Sequence, residues 1–235
     1  MVQPTRQAIE TSVHFPSAGT PSVALEGLLG TVADKVKHPA AVLCHPGSQG
    51  QTGMEYPVIA ACSAALQGAG FVTLRFNFRG VQGSEGNRSG GLYEPRDVQG
   101  AVHFLFERND VDPSHVYLIG NSFGAWMVLE AAREDERVAG IVCIVLPLAY
   151  LPSPPEHLRH DRRPKLFIAA ERDQLCGLDA FKALYRQWAT PKDLIVLAGS
   201  DHFLGIGPSA DPVNRATQIA EAVASWLRQV STMTR

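Results

Sequence analysis

Short apolar runs alternate with segments in which apolar residues return every three or four positions, and this rhythm limits the possible folds more than any other feature. Ala40, Ala41, Val42, Leu43 and Cys44 are apolar without a break. Continuous apolarity over so short a run marks a strand covered on both faces. Further strands are expected at residues 71–78, 116–119, 138–146, 166–169 and 194–197. Between them, residues 55–67, 96–106, 123–133, 178–188 and 216–230 carry helical stripes, as in Ile219, Ala220, Val223, Leu227 and Val230. Alternating strands and helices join parallel strands by crossovers and place helices on both faces of the sheet. Residues 7–15 and 22–29 instead alternate polar and apolar side chains around a turn at 17–21, which predicts an antiparallel hairpin at the start. The expected class is α/β, with a mostly parallel eight-stranded sheet.

Two hundred and thirty-five residues suit a single domain of this kind. The one irregular stretch, 151–164, is rich in Pro and Arg and is expected to be a short cap or excursion. With 21 basic and 23 acidic side chains the net charge is −2, which supplies no footprint for a nucleic-acid backbone. No apolar run is long enough for a membrane span, and residues 1–16 lack the apolar core of a signal peptide. A cytoplasmic location and no membrane partner are therefore expected. Cys44, Cys62, Cys143 and Cys176 form no CxxC pair, so neither a zinc site nor a disulfide framework is implied. Three of them read as small buried hydrophobes. Cys176 falls in an expected loop, where its exposure is open.

Gly120-Asn121-Ser122-Phe123-Gly124 carries the chemistry. It fits G-x-S-x-G, follows an expected strand directly and opens an expected helix. A serine on such a turn sits in a sharp, strained elbow, and the flanking glycines leave room for neighbouring backbone. The hydroxyl then stands at the carboxyl end of the sheet beside a helix N-terminus, where the dipole favours negative charge. A serine needs a base, and the base an orienting acid. Asp173 and His202 each lie just past an expected parallel strand, at the sheet edge where α/β proteins build their sites. Glu171 and Asp201 compete with Asp173 for the role of acid.

These motifs resemble the α/β-hydrolase superfamily over nearly the whole chain. The segment Leu74-Arg75-Phe76-Asn77-Phe78-Arg79-Gly80, the pair His45-Pro46, Ala170-Glu171-Arg172-Asp173 and Asp201-His202-Phe203 resemble a small-capped bacterial branch near the dienelactone-hydrolase-like proteins. Alanine at 170 departs mildly from the glycine of that branch. Dienelactone hydrolases use a cysteine nucleophile, whereas this chain has Ser122, so their reaction does not carry over. The resemblance implies the α/β-hydrolase fold with a minimal cap and an oxyanion hole made by two backbone N–H groups. One is that of Phe123. The other follows the third strand at Gly47, with Ser48 as the neighbouring option, because Pro46 has no N–H to give.

Other features have plainer readings. His45 is expected to shape the oxyanion loop by bonding backbone, with substrate contact as the second option. Arg79 is expected to pair with a carboxylate and brace a loop in preference to binding substrate. Gly47, Gly50 and Gly53 are spaced G-x-x-G-x-x-G without a lysine, which is no nucleotide cradle. His157 and His160 lack any further ligand motif. Arg159, Arg162, Arg163 and Lys165 are expected to form a solvated face, and Trp126 is expected in the core. Together these point to a serine hydrolase acting on a small ester, thioester or related acyl compound, with no metal or organic cofactor. The competing class is a catalytically silent binding or scaffold protein on the same fold, which a cavity blocked by 151–164 or by Tyr93 would favour. A peptidase ranks lower, since no propeller or large cap selects peptides.

Overall fold

A computed structural model describes residues 9–34, 36–47, 53–205 and 212–233. In chain order the elements are β1 (Ile9–Pro16), β2 (Ala24–Thr31), β3 (His38–Cys44), α1 (Pro57–Gly68), β4 (Val72–Phe76), α2 (Glu94–Phe106), β5 (Val111–Asn121), α3 (Phe123–Arg133), β6 (Gly140–Ile144), β7 (Lys165–Ala170), α4 (Leu178–Tyr185), β8 (Lys192–Leu197) and α5 (Pro212–Met233). The apolar runs become strands because each supplies side chains to two cores at once. Ala40 and Val42 point to one side of β3, and Ala41 and Leu43 to the other.

The sheet has eight strands in the order β1-β2-β4-β3-β5-β6-β7-β8. The hairpin β1–β2 is antiparallel and joins β4 antiparallel, while every pair from β4 to β8 is parallel. One face is covered by α2, α3 and α4, through Val98, Val128 and Phe181 against Val42, Leu118 and Phe167. The other is covered by α1 and α5, through Ile59, Leu66, Ile219 and Leu227 against Leu43, Ile119 and Ile168. Each of these side chains contributes roughly 1.5–3 kcal/mol by leaving water.

Some boundaries differ from the sequence pattern for local reasons. Helix α2 starts at Glu94 because Pro95 occupies its first turn, where a missing N–H costs nothing. Strand β6 stops at Ile144, since Val145 takes φ +45° and turns the chain out of the sheet. Helix α4 ends at Tyr185, and the chain continues in turns through Trp188. No helix among the described residues is long and apolar enough to cross a membrane.

Residues 151–164 connect the end of β6 to the start of β7 without a strand or α-helix of their own. A short 3-10 turn at Glu156–Arg159 drives Leu158 into the core, where its carbonyl accepts a 2.8 Å bond from Ala189 N. The basic residues of this stretch are not a uniform solvated face. Lys165 is fully buried and donates to the carbonyls of Asp161 (2.8 Å) and Arg163 (2.5 Å). Arg163 forks onto the Asp161 carboxylate, with its closest contact at 2.6 Å.

Candidate active site

Parallel pairing fixes the site before any side chain is considered. Cys44 of β3 stands beside Gly120 of β5, and Ala170 of β7 beside Leu197 of β8. The segments that follow therefore leave one edge of the sheet together. They carry His45 and Gly47, Ser122, Asp173, and His202.

Ser122 has φ +50° and ψ −115°, the strained backbone of a sharp strand-to-helix turn. The turn closes only because both flanking residues are glycine. A Cβ on Gly120 would fall 2.2 Å from the Gly124 carbonyl oxygen, and one on Gly124 would fall 2.3 Å from that of Cys44. The Ser122 N–H bonds the carbonyl of Ile144 at 2.8 Å, which pins the elbow to β6. Its hydroxyl makes no cap bond to α3 and instead reaches His202 Nε2 at 2.8 Å.

The far nitrogen of His202, Nδ1, lies 2.9 Å from both carboxylate oxygens of Asp173. With Nδ1–H donating to the carboxylate, Nε2 is left to accept the serine proton. Both side chains are almost wholly buried, so the ion-dipole contact is little screened by water. Asp173 is itself held by N–H groups of Leu175 (2.8 Å) and Cys176 (3.0 Å) on Oδ1. Cys176 is therefore buried beneath the carboxylate, not an exposed loop thiol, and burial pushes that thiol up to about 12.

The competing acids are engaged elsewhere. Glu171 accepts from Gly199 N at 2.7 Å and braces the loop ahead of His202. Asp201 accepts from Gly205 N at 3.3 Å. Backbone bonds Glu171 N to Leu197 O (3.1 Å) and Arg172 N to Ser200 O (2.7 Å) lash the two loops together, which sets Asp173 opposite His202.

Gly47 packs directly on Phe123, since a Cβ at 47 would come within 2.8 Å of the Phe123 Cβ. Both residues line the same cavity as Ser122 and His202. Ser48 lies outside the described residues. His45 is 1% exposed and bonds only backbone: Nδ1 donates to Pro46 O at 2.7 Å, and Nε2 accepts from Phe78 N at 3.2 Å. Burial, with a smaller contribution from the Arg88 charge, pulls its pKa down to about 4 against the Pro46 bond. Neutral His45 thus ties the turn after β3 to the turn after β4.

A model of the alpha/beta hydrolase domain matches residues 38–231. The chain belongs to this hydrolase family. An uncharacterised protein of Rickettsia prowazekii is 26% identical over 179 residues, which cover 70% of this chain and 71% of the relative. The fold is shared with an alpha-beta serine hydrolase homologue from Coxiella burnetii, at 23% identity and a TM-score of 0.75, covering 97% of this chain and 100% of the other. It is also shared with a Xanthomonas campestris protein described as a serine hydrolase without lid, at 23% identity and a TM-score of 0.71, covering 92% and 94% of the two chains.

The site opens into a cavity of about 710 Å³. None of residues 151–164 lines it; the nearest borders are Pro147 and Tyr150. Tyr93 does not block it either, because the Arg79 and Arg96 guanidinium groups hold its ring at 5.4 and 5.2 Å. Trp126, expected in the core, is half-buried in the cavity wall. It lies one helical turn past Ser122 and is carried to the same opening. Arg79 is a brace: its side chain and backbone N–H bind the fully buried Asp97 through four bonds of 2.6–3.1 Å.

Glu94, which the sequence did not single out, shapes the cavity wall. Its carboxylate accepts from Ser89 N (2.6 Å), Ser89 Oγ (2.5 Å) and Gly91 N (2.8 Å). Burial alone would raise this carboxyl, but those donors hold it below its ordinary value. Its one sequence signal is an acid in the first turn of a Pro-started helix.

Proposed function

We propose that this alpha/beta hydrolase cleaves small carboxylic esters, thioesters or related acyl compounds through Ser122, His202 and Asp173. One observation carries the reading: an unbroken relay from Ser122 Oγ to His202 at 2.8 Å, and from His202 to Asp173 at 2.9 Å, opening on a cavity that can admit a substrate. In the first half-reaction, Ser122 Oγ attacks the acyl carbon as its proton passes to His202 Nε2. The carbonyl oxygen becomes an oxyanion facing the N–H groups of Phe123 and Gly47, at the positive end of α3. His202 then gives its proton to the leaving alcohol or thiol, and the C–O or C–S bond breaks. In the second half, water loses a proton to His202 and attacks the acyl-serine. The proton returns to Ser122 as the carboxylic acid departs. Asp173 holds the imidazole tautomer and steadies the imidazolium, while Glu171 and Asp201 take no part.

The test is covalent. The purified protein is incubated with a fluorophosphonate and weighed intact, beside Ser122→Ala and His202→Ala. One adduct per chain, abolished in Ser122→Ala and strongly slowed in His202→Ala, is expected. A folded protein that takes no adduct, or one labelled equally in Ser122→Ala, refutes the assignment.

A further inference from the structure

The walls around Ser122 say what kind of acyl compound fits. Phe123 and Trp126 meet edge to face at 5.9 Å on one side. Tyr150 and Phe203 line the same cavity yet are 63% and 64% exposed. Among the described residues only Leu92, of the large apolar side chains, is more exposed. Of the three exposed aromatic rings among the described residues, Tyr93, Tyr150 and Phe203, two thus stand at the mouth of this site. Phe203 directly follows His202 and stands perpendicular to its ring, with centroids 5.8 Å apart. A group packed on Phe203 would therefore also exclude water from the base.

The charges of the cavity do not oppose an apolar occupant. The Glu94 carboxylate is already saturated by Ser89 and Gly91, and Arg88 lies at the exposed rim. A volume of about 710 Å³ far exceeds what an acetyl group fills and lies within the range of drug-sized ligand sites.

Resting on the reading of Ser122 as nucleophile, the geometry points to esters or thioesters carrying a long alkyl or aromatic acyl group, clamped between the Phe123–Trp126 wall and the Tyr150–Phe203 rim. Tyr150 and Phe203 are then specificity-determining residues, ordered out of water only when substrate binds.

Two phosphonofluoridates that differ only in the group on phosphorus, methyl or decyl, separate this inference from the reading beneath it. In each, the Ser122 Oγ–P bond forms, the P–F bond breaks, fluoride leaves, and the serine proton goes to His202. Second-order labelling rates are read by intact mass for the native protein, Phe203→Ala and Tyr150→Ala. The decyl probe is expected to label the native protein more than about tenfold faster than the methyl probe, from apolar burial alone. That ratio is expected to fall at least about threefold in each variant, since each loses an aromatic wall. No adduct with either probe refutes the nucleophile. Adducts at equal rates overturn the acyl preference while leaving the nucleophile in place. A high ratio unchanged in both variants overturns the role of the rim.

Discussion

Replacing Gly124 by alanine tests whether the elbow is closed as tightly as its geometry demands. The added Cβ would sit 2.3 Å from the Cys44 carbonyl oxygen and 2.7 Å from that of His45, where ordinary contact begins at 3.4 Å. Neither obstacle is a flexible side chain tip. Both are backbone of β3 and its exit, so α3 and β3 must separate by roughly 1 Å, a rearrangement that costs about 1–3 kcal/mol. The same separation pulls Gly47 away from Ser122 and Phe123, and a 1 Å misplacement of reacting groups costs on the order of 100-fold in rate. Gly68→Ala is the matched control. It lies in the last turn of α1 with nothing within 4 Å of its added Cβ, so it should leave activity unchanged and raise stability by up to about 1 kcal/mol. Urea unfolding and kcat/KM for a p-nitrophenyl ester measure both effects. A Gly124→Ala protein as stable as the native one, with activity within about threefold of it, would refute the steric account.

Three further outcomes follow from named contacts. Asp173→Asn should lower kcat by about 10⁴-fold, because an amide favours the wrong His202 tautomer, whereas Glu171→Gln should cost less than about tenfold, since Glu171 only braces a loop; equal losses in an initial-rate assay would reverse the assignment of the acid. His45 is held neutral, with its pKa lowered from 6.5 to about 4, so the unfolded chain takes up its proton first as pH falls. The native protein should therefore lose about 3 kcal/mol of stability between those two values relative to His45→Gln, and nothing above them; parallel pH profiles in urea unfolding would contradict this. Arg79→Ala leaves the buried Asp97 carboxylate without its guanidinium partner and should destabilise the fold by about 3–5 kcal/mol, a loss that differential scanning calorimetry would reveal.

The fold was legible because its information is local and repeated. The apolar run at residues 40–44 suggests a strand buried on two faces, and the stripe ending at Val230 suggests a helix with one buried side. Parallel pairing then places every segment that follows one of the parallel strands at one edge, so Ser122, Asp173 and His202 could be gathered from their positions alone. The choice among acids was not settled in the same way. Glu171 and Asp201 lie close enough to the same expected strands to compete with Asp173, and what separates them is the contact of Asp173 with His202, while Glu171 is taken up by Gly199 and Asp201 by Gly205.

Chain order alone likewise named neither the partner of Arg79, 18 residues away in Asp97, nor the side to which Trp126 turns. The sequence by itself determined the sheet, its strained serine turn and the edge where chemistry can occur, because periodicity and glycine sterics act over a few residues. Only the tertiary structure decided which carboxylate meets His202, where residues 151–164 go and what walls the cavity. Those outcomes depend on hydrogen bonds and packing between loops that are distant in the chain and have no periodic signal to announce them.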